Sequence, residues 1–350
     1  MIDWQAKINK YDQHDFRKSI LTLPEQLVSG MDVSQKDGEL DTLLRKVSFQ
    51  RIIVSGMGGS ALVGAISDMY LVNLTNEEKN DILAVRENHF YNLPAESYQN
   101  SLNIFCSYSG NTEETISAFR EALENNLPSL AISSGGLLEK LARKNKIPFL
   151  RAPKPFDDFQ PRIAVGYPVS LLMTVLQRSG KFLKATSHLE EASKSLKEKL
   201  QYLEEEGRKL ALELKNKTVL IYAPAKYENL ARIWKISFNE NSKSPAFWNY
   251  LPELNHNEMS GFANKQGDYT VVMLYDQQDD KRNQKRFDLT AKVLEKQGLE
   301  IKMLKMREGN PLERIFLSLA LANWTSYYLA LLYQTDPAEV KLVEEFKKLL

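Results

Sequence analysis

One short polar stretch, NENSKSPAFWNYLPELNHNE at residues 239–258, holds a carboxylate at Glu240 and an imidazole at His256 among apolar anchors. Such a pair suits proton transfer at neutral pH, because histidine titrates near there and a carboxylate is a ready base. Each residue also has a plainer use. Glu240 can cap a helix or pair with Lys243, and His256 can be a hydrogen-bonded loop histidine. Phe247, Trp248, Tyr250, Pro245 and Pro252 predict a rigid loop, and a rigid loop rich in polar groups is more often a site than a spacer.

A second set of candidates contains no charge. Gly56-Met57-Gly58-Gly59-Ser60 follows a β-branched run and opens a helical pattern. Glycines there let a backbone approach a ligand, and a helix start offers free N–H groups. The same turn also serves as a tight strand-to-helix connection. It is neither a dinucleotide fingerprint, since Ala61 stands where a third glycine belongs, nor a P-loop, since no Gly-Lys-Ser/Thr follows. Ser107-Tyr108-Ser109-Gly110-Asn111-Thr112 follows another strand candidate and adds three hydroxyls, which donate to phosphate oxygens without adding charge. Ligands of open parallel sheets bind beyond the carboxyl ends of the strands. Both loops are therefore expected on one edge as a phosphate site. Ser133-Ser134-Gly135-Gly136 is a third candidate for lining it.

The elements that must position these groups read as α/β. Strands are predicted at 51–55, 81–85, 102–106 and 129–132, with helices at 11–31, 60–71, 113–125 and 137–145. Strand–helix alternation argues for a parallel sheet with helices on both faces. Residues 148–161 read as a proline-rich crossover and 190–214 as a charged helix. Strands at 218–222, 269–275 and 300–306 and helices at 312–333 and 338–350 make a second block. The expected division is 1–180, a helical linker at 181–216, and 217–350. The chain has 350 residues and a net charge of +1, so no global field favours nucleic acid or a membrane. Cys106, the lone cysteine, sits in an apolar run and reads as a buried structural thiol. No apolar run is taken to reach the roughly 18 residues of a bilayer span. The N-terminus lacks the apolar core of a secretory signal, so a cytoplasmic location is expected.

SYSGNTEET after a strand, paired with GMGGS, resembles the sugar isomerase (SIS) domain. Pro161-Arg162, Gly166-Tyr167, the 239–258 stretch, residues 324–329 and Asp336-Pro337 narrow this. Together they resemble the bifunctional phosphoglucose/phosphomannose isomerase family. The resemblance runs from about Gly56 to the C-terminus and is patchy over 181–216. It implies two SIS-type domains, each a parallel sheet flanked by helices, and a homodimer with the active site between the domains and across the dimer interface. It implies reversible isomerisation of glucose 6-phosphate, and of mannose 6-phosphate, to fructose 6-phosphate through an enediolate, with no cofactor and no metal. Glu240 would move a proton between C1 and C2. His256, from the neighbouring subunit, would help open the sugar ring, and Lys347 would assist. Arg162 would stabilise the enediolate, although it could instead neutralise Asp157 or Asp158. Gly58, Gly59, Ser60, Ser107, Ser109 and Thr112 would hold the phosphate. One departure stands out: Val340 occupies the place of a threonine linked in the family to tolerance of both C2 epimers. The rival readings are a non-catalytic phosphosugar-binding regulator and an isomerase of an amino sugar phosphate. His14, His89 and His188 read as surface or core residues.

Overall fold

The computed structural model describes residues 2–33, 38–306 and 309–349. Its helices are α1 (Trp4–Tyr11), α2 (Phe16–Leu21), α3 (Leu23–Val33), α4 (Gly38–Lys46), α5 (Leu62–Asn73), α6 (Glu113–Glu124), α7 (Gly136–Lys144), α8 (Gly166–Arg178), α9 (Ala185–Leu214), α10 (Glu228–Asn241), α11 (Lys281–Lys296), α12 (Pro311–Leu332) and α13 (Lys341–Leu349). The strands are β1 (Arg51–Ser55), β2 (Ala84–Asn88), β3 (Ser101–Cys106), β4 (Ser129–Ser133), β5 (Phe149–Arg151), β6 (Thr218–Pro224), β7 (Ala246–Leu251), β8 (Tyr269–Asp276) and β9 (Glu300–Met306). Leu350, the last residue of the expected C-terminal helix, lies outside the described residues.

The chain divides into two compact units. One comprises residues 21–197 with 310–313; the other comprises 1–20, 198–309 and 314–350. The division falls inside α9, a single helix across most of the expected linker, rather than at 180 and 216.

The first unit is built on five parallel strands in the order β2-β1-β3-β4-β5. β-Branched and apolar residues make β1, β3 and β4 central and almost wholly buried. Phe119 and Ile116 of α6 and Leu138 of α7 pack with Phe105 and Ala131 on one face. On α5, Gly64 comes so close to β1 that an added Cβ would lie 3.1 Å from the Val54 Cβ. The order reverses between β1 and β3, so their carboxyl ends flank the crevice where such sheets take ligands.

The second unit repeats the layout with four parallel strands in the order β7-β6-β8-β9. Leu220, Tyr222, Val271 and Met273 of the sheet meet Phe287, Ala291 and Leu294 of α11. α12 has the length expected from sequence but is, by length and composition, apolar enough to span a bilayer, which was expected of no run in the sequence. However, 89% of its apolar window is buried inside the protein, so it serves as a core helix.

Several expectations are corrected. The helix predicted at 11–31 is interrupted because the Asp12 carboxylate accepts from Phe16 N (2.6 Å) and Arg17 N (3.0 Å), starting α2 afresh, and Asp15 turns at φ 50°. The crossover at 148–161 contains β5, and β2 begins at Ala84 rather than at 81. The stretch 239–258 is not a loop. It is the last turn of α10, then β7 pairing with β6, then a 3-10 turn at Glu253–Asn255.

Candidate active site

In the first unit the glycine turn and the hydroxyl loop lie side by side because β1 and β3 are neighbours. Ser60 Oγ accepts from Tyr108 N (3.0 Å), tying one loop to the other. Ser107 is fully buried, and its hydroxyl lies 2.8 Å from Thr112 Oγ1 and 3.5 Å from Ser109 Oγ. It also accepts from Gly110 N (3.1 Å). Three hydroxyls are thereby gathered within one turn of chain. Thr112 is the N-cap residue of α6, yet its side chain makes no cap bond. Its hydroxyl is instead turned to Ser107, and the first turn of α6 also carries Glu113 and Glu114.

The third loop supports the second. Ser134 Oγ donates to Tyr108 O (2.6 Å) and Leu138 N donates to Gly110 O (2.9 Å). Gly110, at φ 71°, lies so near Gly135 that an added Cβ would fall 1.8 Å from the Gly135 carbonyl oxygen. The alternative use of the glycine turn, as a close connection, is also real. A Cβ on Gly59 would sit 3.2 Å from the Arg162 Cα, so glycine there admits the 3-10 turn Pro161–Ile163 and brings Arg162 to the loop. Burial pushes the Cys106 thiol up to about 12, against a hydrogen bond with Ser60, which leaves it a structural thiol.

In the second unit Glu240 is half-buried on the last turn of α10. The polar residues around it have structural work. Asn241 Nδ2 donates to Ser326 Oγ of α12 (2.9 Å), Asn239 Nδ2 donates to Ser244 O (2.9 Å), and Ser242 Oγ donates to Phe238 O (2.7 Å). Lys243, at φ 54°, turns the chain toward β7 and reaches the carbonyls of Asn241 and Asp336. Glu240 opens on a cavity of about 410 Å³ whose wall includes Pro245, Thr335, Glu339, Val340 and Lys341. Val340 and Glu240 thus line the same cavity.

His256 ends the 3-10 turn and is exposed, while its neighbours are anchored. Leu254 is buried in the α11 cluster. Asn255 Nδ2 donates to Thr290 Oγ1 (2.9 Å), and Arg286 Nη1 donates to Asn255 Oδ1 (3.2 Å). Glu258 accepts from Tyr222 and Asn249. Lys347 stands on exposed α13, bonded to Glu344 (2.9 Å), and is not in the wall of the Glu240 cavity.

Comparisons with known proteins narrow what this arrangement serves. Residues 203–350 match the bacterial phospho-glucose isomerase C-terminal SIS domain family. A bifunctional phosphoglucose/phosphomannose isomerase of Aquifex aeolicus is 34% identical over 86% of this chain and 90% of its own length. That of Caldicellulosiruptor bescii is 32% identical over 95% and 98%. The chain belongs to the bifunctional phosphoglucose/phosphomannose isomerase family. Its fold is also that of the C-terminal domain of glucosamine-fructose-6-phosphate aminotransferase from Francisella tularensis. That match has a TM-score of 0.69 at 15% identity, covering 95% of this chain and 99% of that one.

For a member of this family, the residues read from sequence fall into two groups. Gly58, Gly59, Ser60, Ser107, Ser109, Thr112 and Arg162 are gathered in the first unit. Glu240, His256 and Lys347 belong to the second. Sequence reading missed His89, which meets the glycine turn: its Nδ1 lies 3.1 Å from Gly56 O. The available signal was its position just past β2, on the same sheet edge as both loops. His188 is a core residue, 2.9 Å from the Tyr70 hydroxyl, with burial holding it below the usual histidine range. His14 pairs with Asp336 at 2.8 Å.

Proposed function

We propose that this chain interconverts glucose 6-phosphate, and also mannose 6-phosphate, with fructose 6-phosphate. The observation that carries the reading is the match, over nearly the whole chain, to relatives named for that pair of activities, in a protein that has both the hydroxyl loop and Glu240. Ser107, Ser109 and Thr112, with the turn Gly58-Gly59-Ser60, take the substrate phosphate through neutral donors. A fixed phosphate supplies remote binding energy that orients the reacting carbons. Glu240 removes a proton at C2 and returns it at C1, a task for one positioned carboxylate. Arg162 faces the negative charge that develops on the enediolate oxygens.

His256 opens the sugar ring of a second copy of the chain. Its exposed place on an anchored turn supports that use. Lys347 assists ring opening from α13. The working protein is then a homodimer.

A coupled assay for fructose 6-phosphate, started from each hexose phosphate, tests the reading. Turnover of both substrates is expected. Turnover of neither, with consumption of an amino sugar phosphate instead, would contradict it.

A further inference from the structure

The residues that close the glycine turn lie at the end of an edge strand. Gly56, the first residue past β1, has both of its backbone polar groups taken by residues 88 and 89. Gly56 N donates to Asn88 O (3.1 Å), and Gly56 O lies 3.1 Å from His89 Nδ1. A carbonyl oxygen only accepts, so Nδ1 carries the proton in that bond. Asn88 adds a second tie, its Nδ2 donating to Ser55 Oγ (3.0 Å) and to Asn92 O (3.2 Å). Behind His89, its Nε2 lies 3.3 Å from Glu87 Oε2, a carboxylate only 13% exposed. The stem of Glu87 lies against α5, where a Cβ on Gly64 would come within 2.7 Å of its Cγ. Carboxylate, imidazole and carbonyl thus form a line that ends on the glycine turn. On its other side Gly56 is hemmed in by β3, since an added Cβ would lie 2.9 Å from Cys106 O.

We propose that His89 is a positioning residue for the phosphosugar loop, setting the orientation of the Gly56–Met57 peptide as the chain leaves β1. The carbonyl oxygen and the following N–H belong to one rigid plane and point opposite ways, so holding the oxygen aims Met57 N–H. The turn beyond, Gly58–Ser60, then starts from a fixed direction, with Gly58 at φ 53°. The inference rests on the reading of this loop as a phosphate site, but not on which sugar is turned over.

The test compares the unaltered chain with His89→Leu and His89→Asn. Asparagine places its amide nitrogen where Nδ1 sits; leucine offers no donor. Two quantities are read: KM and kcat for glucose 6-phosphate, and the Kd for inorganic phosphate by titration calorimetry. The leucine variant is expected to raise KM and the phosphate Kd about five- to tenfold, the worth of one hydrogen bond, with kcat within about twofold. The asparagine variant is expected to restore both. If His89→Leu does not fold, His89→Gln replaces it with the same expectation, since its amide reaches the Nε2 place instead. Unchanged KM and Kd without the donor, or an asparagine variant as impaired as leucine, would overturn the role. A chain that turns over no hexose phosphate, yet shows this order of phosphate affinities, sinks the isomerase reading and sustains His89. A chain that binds no phosphate overturns the role along with the site.

Discussion

The two sheets share a layout and differ in what stands at their carboxyl edges. β2-β1-β3-β4 of the first matches β7-β6-β8-β9 of the second. After β1 and β3 come glycines and hydroxyls. After β6 comes Lys226, and β8 ends at Asp276, which opens the run Asp276-Gln277-Gln278-Asp279-Asp280. There Lys226 Nζ lies 2.7 Å from Asp276 Oδ2 and 3.4 Å from Asp279 Oδ1, and Arg314 Nη1 lies 3.5 Å from Asp276 Oδ1 and donates to Gln278 Oε1 at 2.8 Å. The second edge is neutralised by its own ion pairs, and a phosphate arriving there would compete with two carboxylates. The first edge presents neutral hydroxyls, with Glu113 and Glu114 following Thr112 at the start of α6. The same fold therefore carries one hydroxyl-rich edge and one ion-paired knot, and loop chemistry rather than topology decides which.

Asp276→Ala puts the largest strain on that contrast. The Asp276 side chain is 1% exposed and that of Arg314 7%, so removing the carboxylate leaves buried positive charge uncompensated. Chemical denaturation should show a loss of about 3–5 kcal/mol. A loss below about 1 kcal/mol would mean the knot is not structural. Gly110→Ala probes the other edge. Its Cβ would meet a backbone oxygen at 1.8 Å and sit at φ 71°, so no rotamer relieves it. About 2–4 kcal/mol of stability should go, with phosphate affinity. Wild-type phosphate binding by this variant would separate the hydroxyl loop from the site.

The smallest effect sharpens where sugar identity is read. Val340→Thr keeps the volume and adds a hydroxyl in the Glu240 cavity. Mannose 6-phosphate should gain on glucose 6-phosphate by up to about fivefold in kcat/KM, one hydrogen bond's worth. An unchanged ratio would place that selection elsewhere.

What could be read from sequence follows the same division between buried and edge elements. β1, β3 and β4 are central, so burial makes them apolar runs, and the loops after them carry glycine and serine for reasons visible in the residues alone. β5 was missed because only Phe149-Leu150-Arg151-Ala152 stand between Pro148 and Pro153, and β7 because an edge strand with polar Asn249 between two prolines reads as a loop. The shifted start of β2 has the same origin, and it hid His89. Glu240 reads from sequence as an acid in a polar stretch, and the structure places it half-buried on the last turn of α10. That its company is structural depends on the contact of Asn241 with Ser326, residues far apart in sequence.

The central claim is that Glu240 performs the proton transfer for a phosphosugar isomerase. Steady-state formation of fructose 6-phosphate from glucose 6-phosphate, by the unaltered chain and by Glu240→Gln, tests it most directly. The prediction is turnover by the former and a fall in kcat of at least about 100-fold in the latter, with KM little changed. Equal kcat in the two would contradict it.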